Sequence, residues 1–474
     1  MPKARIEADY LIIGAGAAGM GFADVTVSET NATIVMVDKR QSPGGHWNDA
    51  YPFVRLHHPS HYYGVQSRPL GDFSKQREGL NKGLLHVASA AELVKYYDDV
   101  MQRHLLPSGR VTYRPMSHYD GNGKITSLLT GETTEVVIGK KTVDATLSGT
   151  TVPSTHKHAF TVAANVPCIP LNDLPRVSAP PAGGYTVVGS GKTGMDAALW
   201  LLEHGVAPDQ IRWIMPRDAW WLDRAKAQFH PDYFEASVAN VADQMEALGT
   251  AATVDDLFAR LEACGGLLRL DSNVKPTMFH GATATKSELA ALRGIKDIVR
   301  LGRIQRIEVD KVVLDRGTVP ARAGALYIDC SAAGFAVTRP RPVFADKTIT
   351  LQMLKSFQPT FSAALIAHIE GKYADDAQKN ALCTPVAPPK HATDWLTMMG
   401  TSMMNQNAWS QSPELMAWIL GCRLDPMTAL MRGAKEGEAD KVALLQRSRK
   451  AMRPAVANLQ RLIGDLRASA PPRA

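Results

Sequence analysis

Two stretches of this 474-residue chain have the residue types and spacing to hold a nucleotide phosphate. In the first, the apolar run Tyr10-Leu11-Ile12-Ile13 leads straight into Gly14-x-Gly16-x-x-Gly19. In such a pattern the first glycine permits a tight strand-to-helix turn. The second lets backbone approach a pyrophosphate, and the third lets the helix pack on the strand. Ala17 and Ala18 open that helix, whose free N–H groups and dipole favour an anion. Nineteen residues beyond Gly19, after the apolar run Ala32 to Val37, stands Asp38, with Lys39 beside it. An acid there accepts hydrogen bonds from ribose hydroxyls. In the second stretch, Tyr185-Thr186-Val187-Val188 leads into Gly189-x-Gly191-Lys192-Thr193-Gly194, and the next apolar run, Ile211 to Met215, ends at Pro216-Arg217. An acid at that position suits a free ribose 2′-hydroxyl, whereas an arginine accommodates a 2′-phosphate. The spacing therefore predicts FAD or NAD at the first stretch and NADP at the second, with Arg224 and Lys226 as auxiliary phosphate ligands.

Other candidates stand nearby. Gly44-Gly45-His46-Trp47 follows the first nucleotide strand, and its paired glycines let backbone pass close to a bulky group. His57, His58 and His61 fall within five residues, but adjacent imidazoles without an acid or cysteine are a poor metal set. They are expected to line a cofactor or substrate pocket, and no metal is expected. Gly191-Lys192-Thr193 has the ending of a triphosphate-binding P-loop, but that motif requires glycine at the position held by Thr186.

The elements that must position these groups follow from pattern. A capped helix is expected over Ser89 to His104, and a hairpin-rich layer over Val111 to Tyr113, Ile125 to Leu129, Thr134 to Ile138 and Thr142 to Thr146. Prolines mark Thr155 to Pro181 as a connection. Asp144 to Gly149 and Asp329 to Gly334 repeat one pattern, an acid then small residues then glycine, which lets a loop cross a nucleotide-bearing surface; Gly334 is placed at the cofactor on that ground. Helices are expected from Ala363 onward, ending in a basic amphipathic one over Lys441 to Leu466 that reads as a solvated face or a protomer contact in a homodimer. The tail after Ala468 reads as disordered.

Composition narrows the class. The chain is 45% hydrophobic and 21% charged, with a net charge of +7, and has no basic run interleaved with aromatics to suggest nucleic acid. It has no apolar run long enough to span a membrane, and the expected compartment is the cytoplasm. Its five cysteines form no C-x-x-C.

With two fingerprints 175 residues apart, the chain resembles the flavoproteins with two dinucleotide-binding domains. Gly44-Gly45-His46-Trp47 looks like the G-G-x-W of the class B flavoprotein monooxygenases, the flavin-containing and Baeyer–Villiger monooxygenases. Leu56-His57-His58-Pro59 is similar to their segment with Asn before Pro, and Asp329 to Phe335 to their acid-x-x-A-T-G-[YF] segment. Three features depart from the family: no F-x-G-x-x-x-H linker motif lies in Val152 to Gly183, histidine replaces the pocket asparagine, and the long helical C-terminus is unlike the usual pattern.

The resemblance implies an α/β fold of two Rossmann-like domains, an FAD domain interrupted by an NADPH domain. It would comprise FAD-binding residues 1–165, a linker 166–183, NAD(P)H-binding residues 184–322, a second FAD-binding part 323–395 and a helical C-terminal region 396–474. It implies a monooxygenase that uses FAD, NADPH and molecular oxygen to oxidise a small organic molecule through a peroxyflavin, with His57 or His58 at the flavin edge. The alternatives are an NADPH-dependent flavin reductase without oxygen insertion and an FAD-binding redox sensor.

Overall fold

A computed structural model describes residues 5–335, 339–434 and 437–469. The chain is α/β, with two Rossmann-like parallel sheets and a helical C-terminal region. Part of the expectation for the tail after Ala468 falls on 470–474, outside the described residues.

The first sheet is ordered Val111–Arg114, Ile34–Val37, Arg5–Ile13, Thr133–Asp144 and Thr348–Thr350, with each neighbouring pair parallel. Their C-terminal ends are in register: Ile13 pairs with Val37 and Asp144, Val37 with Arg114, and Thr350 with Asp144. A parallel sheet binds ligands at that edge, where the strand order reverses. The helix Ala17–Glu29 is buried nearly all round, because Pro359–Lys372 packs along it. The second sheet repeats the design in the order Asp297–Val299, Ile211–Ile214, Tyr185–Val188, Leu326–Asp329 and Cys168–Pro170, again all parallel.

Three expectations change. Val111–Arg114 is a parallel nucleotide-sheet strand, and 134–138 with 142–146 form one strand, Thr133–Asp144; only its first half joins a hairpin, with Lys124–Ser127. Cys168–Pro170, inside the expected linker, and Leu326–Asp329, beyond the expected boundary at 323, both belong to the second sheet; the chain rejoins the first at Phe344–Thr350. Strands of three or four residues are too short for their pattern to say which sheet they enter. The last helix, Ala439–Ser469, lays Leu445, Ala451, Ala455, Leu459 and Leu462 inward and packs along the helix Phe234–Thr250; Arg449, Lys450 and Arg453 stay exposed. Asn458 fastens the two helices by donating to the carbonyls of Leu248 and Ala251 at 2.7 and 2.8 Å. Its apolar face is thus covered within the chain.

One buried ion pair ties the C-terminal helices to the segment that enters Pro359–Lys372. Lys355 Nζ lies 2.7 Å from both oxygens of Asp425, and both side chains are almost fully buried. Replacing Lys355 by Met leaves the Asp425 charge without its partner in a dry site. The expected loss of stability is about 3–5 kcal/mol, read from urea unfolding; a loss below about 1 kcal/mol would mean that water reaches the pair.

Candidate functional site: two glycine loops and the turn between them

The two fingerprints fold into near-copies. Gly14 and Gly189 have φ of +100° and +121°, which L side chains rarely adopt. A Cβ on Gly19 would sit 2.0 Å from the Gly14 carbonyl oxygen, and one on Gly194 would sit 2.1 Å from that of Gly189. Gly16 and Gly191 precede their helices with φ, ψ of −79°, −175° and −81°, −173°, and neither helix has a side-chain cap or an acid in its first turn. The first-turn N–H groups, at Ala17 and Ala18 and at Lys192 and Thr193, are thus left for an anion. Trp213 Nε1 donates to the Gly189 carbonyl at 2.7 Å and fixes the second loop.

The crossing segments are also copies. Asp144 Oδ1 accepts from Thr146 N and Oγ1 at 2.9 and 2.7 Å, and Asp329 Oδ1 from Ser331 N and Oγ at 2.9 and 2.6 Å. Each small-residue segment runs over the first glycine of its own loop: a Cβ on Gly14 would meet the Thr146 methyl at 3.2 Å, and one on Gly189 the Cys330 oxygen at 2.5 Å. The repeated acid-and-glycine pattern therefore marks the fourth strand of each sheet. Gly334 bridges to Thr151, joining the two crossings to each other.

At the first loop, Asp38 is buried and already engaged. Its Oδ2 accepts from Ala15 N at 2.6 Å and its Oδ1 from Arg40 N at 2.8 Å, so it closes the glycine loop and keeps lone pairs for a ribose. Lys39 is exposed. Tyr113, at the end of the neighbouring strand, has a buried hydroxyl without a partner; burial and the nearby Asp38 raise its pKa. The Tyr113 hydroxyl, a free donor beside Asp38, was missed from sequence because nothing local marks it.

The glycine pair crosses this loop directly. Gly44 N donates to the Ala15 carbonyl at 2.8 Å, and a Cβ on Gly45 would lie 2.9 Å from Gly16 Cα. The short turn Gly45–Asp49 then presents His46 against Trp47, with ring centroids 4.7 Å apart. Trp47 Nε1 donates to Tyr63 Oη at 3.1 Å, and the His58 ring lies 5.9 Å from Tyr63. Burial, helped by Arg40, lowers the His46 pKa to about 4. A histidine held neutral in the fold and near 6.5 when unfolded binds fewer protons folded. Stability is therefore expected to be full above pH 6.5, to fall as pH drops toward about 4 and then to level off. Thermal unfolding across that range checks it: His46→Gln should flatten the slope, and an unchanged slope would assign the acid sensitivity to other groups.

The three clustered histidines diverge. His57 turns to the second domain: its carbonyl accepts from Thr283 Oγ1 at 2.8 Å, and burial, then Lys192 and Arg224, hold its imidazole well below the usual pKa. His58 is lowered by burial and stands on the Trp47 and Tyr63 side, whereas His61 lies against Phe73 with ring centroids 3.9 Å apart. Among the described residues no group of three His, Cys, Asp or Glu side chains is placed to hold a metal.

At the second loop, Arg217 is half-buried. No acceptor meets its guanidinium among the described residues, and burial with the nearby Arg303 lowers its pKa. Burial, and then the charge of Arg217, lowers the pKa of His280 nearby. The adjacent Asp218 is turned away into an ion pair with Arg300 at 2.9 Å. The auxiliary ligands expected from sequence are committed elsewhere: Arg224 is buried against Glu288 and Asn81, each at 2.9 Å, and Lys226 donates to the Cys264 carbonyl. Lys192 pairs with Asp196, whose other oxygen accepts from Tyr51 Oη at 2.6 Å. Near the first sheet's edge, Phe357 has a φ of +57° and the next residue, Gln358, has a buried Oε1 without a partner, at the start of Pro359–Lys372. No sequence signal marks these two, because a bulky residue disfavours that backbone region.

Residues 12–75 match the NAD(P)-binding Rossmann-like domain model. Among solved structures, an open form of cyclohexanone monooxygenase is 13% identical, with 77% of this chain and 86% of that chain covered and a TM-score of 0.49. A flavin monooxygenase from Stenotrophomonas maltophilia, in a mutant form, is 14% identical with 78% and 99% covered and a TM-score of 0.44. The uncharacterized protein Rv2000 of Mycobacterium tuberculosis is 46% identical over 430 residues, which span 91% of this chain and 80% of that protein. The chain therefore belongs to the family of that mycobacterial protein.

Proposed function

We propose that this protein is an FAD-dependent, NADPH-using monooxygenase acting on a small organic molecule with molecular oxygen in the cytoplasm. The observation that carries the reading is the pair of near-identical glycine loops on two parallel sheets, one closed by a buried acid and the other flanked by an arginine with no acceptor among the described residues. FAD, when bound, supplies the two-electron and oxygen chemistry. The chain's own residues do the rest. Gly14, Gly16 and Gly19 with the N–H groups of Ala17 and Ala18 cradle the FAD pyrophosphate. Asp38 and Tyr113 take the ribose end. Gly189, Gly191, Lys192, Thr193 and Gly194 cradle the NADPH pyrophosphate, and Arg217 takes its 2′-phosphate.

His46, Trp47, Tyr63 and His58 wall the space beside the first loop and keep water out. His57 and His58 stay neutral and serve as donors or acceptors there, His58 from the Trp47 side and His57 from the side of Lys192.

The test is to purify the protein with its flavin and follow NADPH, oxygen and peroxide together across candidate small molecules. Oxygenated product matching NADPH use is expected, with His58→Ala diverting electrons to hydrogen peroxide. Turnover that yields only peroxide, or that needs another electron acceptor, would make it a reductase. No NADPH use at all would leave a flavin-binding sensor.

A further inference from the structure

We propose that Tyr51 is a positioning residue: through Asp196 and Lys192 it couples occupancy of the second glycine loop to the turn that covers the first. The inference rests on the two-nucleotide reading above. Lys192 opens the helix Lys192–Glu203 directly after Gly191, where a pyrophosphate would dock. Its ammonium is held by Asp196, one turn along the same helix. The second oxygen of Asp196 accepts from Tyr51, 145 positions earlier in the chain. Tyr51 is 5% exposed and lies two residues beyond the turn Gly45–Asp49, whose Gly45 rests on Gly16 of the first loop. The contact is more than one hydrogen bond. Tyr51 packs on Phe53 at 5.0 Å, and Phe53 stacks at 5.4 Å on Trp200 of the same helix, so the whole segment lies along it.

The coupling follows from charge. A phosphate at Gly191 takes part of the Lys192 ammonium, which has three donors. Asp196 then carries more uncompensated charge and leans on its other donor, the Tyr51 hydroxyl. A hydrogen bond to a charged group is stronger than a neutral one, so Tyr51 is drawn toward the helix when the second loop is filled. Filling the second loop thereby tightens the Gly45–Asp49 turn over the first, and by linkage the Tyr51 hydroxyl strengthens dinucleotide binding.

Two variants of the flavin-loaded protein test this, each titrated with NADP+ by calorimetry and by the flavin absorbance difference spectrum at saturation. Tyr51→Phe should weaken NADP+ binding by about 5- to 20-fold and shrink the difference spectrum, with FAD retained. Asp196→Asn should do something a merely structural role would not: free Lys192 for the phosphate and tighten NADP+ binding, yet still lose the difference spectrum. If Tyr51→Phe fails to fold, Asp196→Asn carries the decision. A wild-type difference spectrum in either variant overturns the coupling and leaves the dinucleotide reading standing. A wild-type protein that takes up no NADP+ overturns that reading and the coupling with it.

Discussion

Arg217→Ala is expected to weaken NADP+ binding by about 10- to 100-fold, the range for losing hydrogen bonds between charged partners, while NAD+ binding stays within about 2-fold. The reasoning rests on what surrounds the guanidinium. It stands at the end of the second strand of the second sheet, beyond Met215, which is where a 2′-phosphate arrives. It has no carboxylate or carbonyl partner among the described residues, and the nearby charge of Arg303 repels it. A partly buried cation left unpaired in the free protein costs stability. The same substitution should therefore leave the melting temperature unchanged or raise it, which a structural arginine would not do. The affinity loss should shrink at high salt, because the lost interaction is between charges. Calorimetric titration of both nucleotides, with thermal unfolding alongside, reads all three effects. Equal losses for NADP+ and NAD+ would mean that Arg217 shapes the loop and does not read the phosphate.

The second large effect separates two glycines three residues apart. A Cβ on Gly194 would lie 2.1 Å from the Gly189 oxygen and 3.0 Å from the Gly189 carbon, both backbone, and 3.3 Å from Trp213 Nε1. Backbone cannot step aside there without breaking the Trp213 hydrogen bond to Gly189. Gly194→Ala should cost more than about 4 kcal/mol, seen as lost soluble yield or an early unfolding transition. A Cβ on Gly191 meets nothing within 4 Å among the described residues. Gly191→Ala also has an ordinary extended φ of −81°, so stability should change by less than about 1 kcal/mol. The methyl group nevertheless fills the space through which phosphate must reach backbone, and NADP+ binding should fall at least about 10-fold. One glycine would thus be lost for packing and the other for binding. If Gly191→Ala binds NADP+ as well as wild type does, no phosphate uses that space.

Legibility from sequence follows how local each constraint is. Both glycine loops were readable because the clash that demands glycine lies between positions five apart, Gly14 with Gly19 and Gly189 with Gly194. The paired Asp144 and Asp329 turns were readable for the same reason, since each acid bonds a residue two positions on. The bond that Asp38 accepts from Ala15 N spans 23 positions, so no local pattern shows it. Sheet membership at Leu326–Asp329 is not legible because the run is buried throughout and shows no exposed face, and its partners, Tyr185–Val188 and Cys168–Pro170, lie far back in the chain.

By itself the sequence determined that this protein has two glycine-rich strand-to-helix turns, and that an acid follows one and an arginine the other. Only the tertiary structure decided which charges remain available to a ligand. Arg217 and Arg224 are seven positions apart and look alike in sequence; Glu288, Asn81 and Thr283 close on Arg224, while Asp218 turns to Arg300 and leaves Arg217 without a partner among the described residues. A cation's freedom depends on its burial and on the acceptors that distant segments bring to it. Those are set when the chain packs, and no local pattern records them.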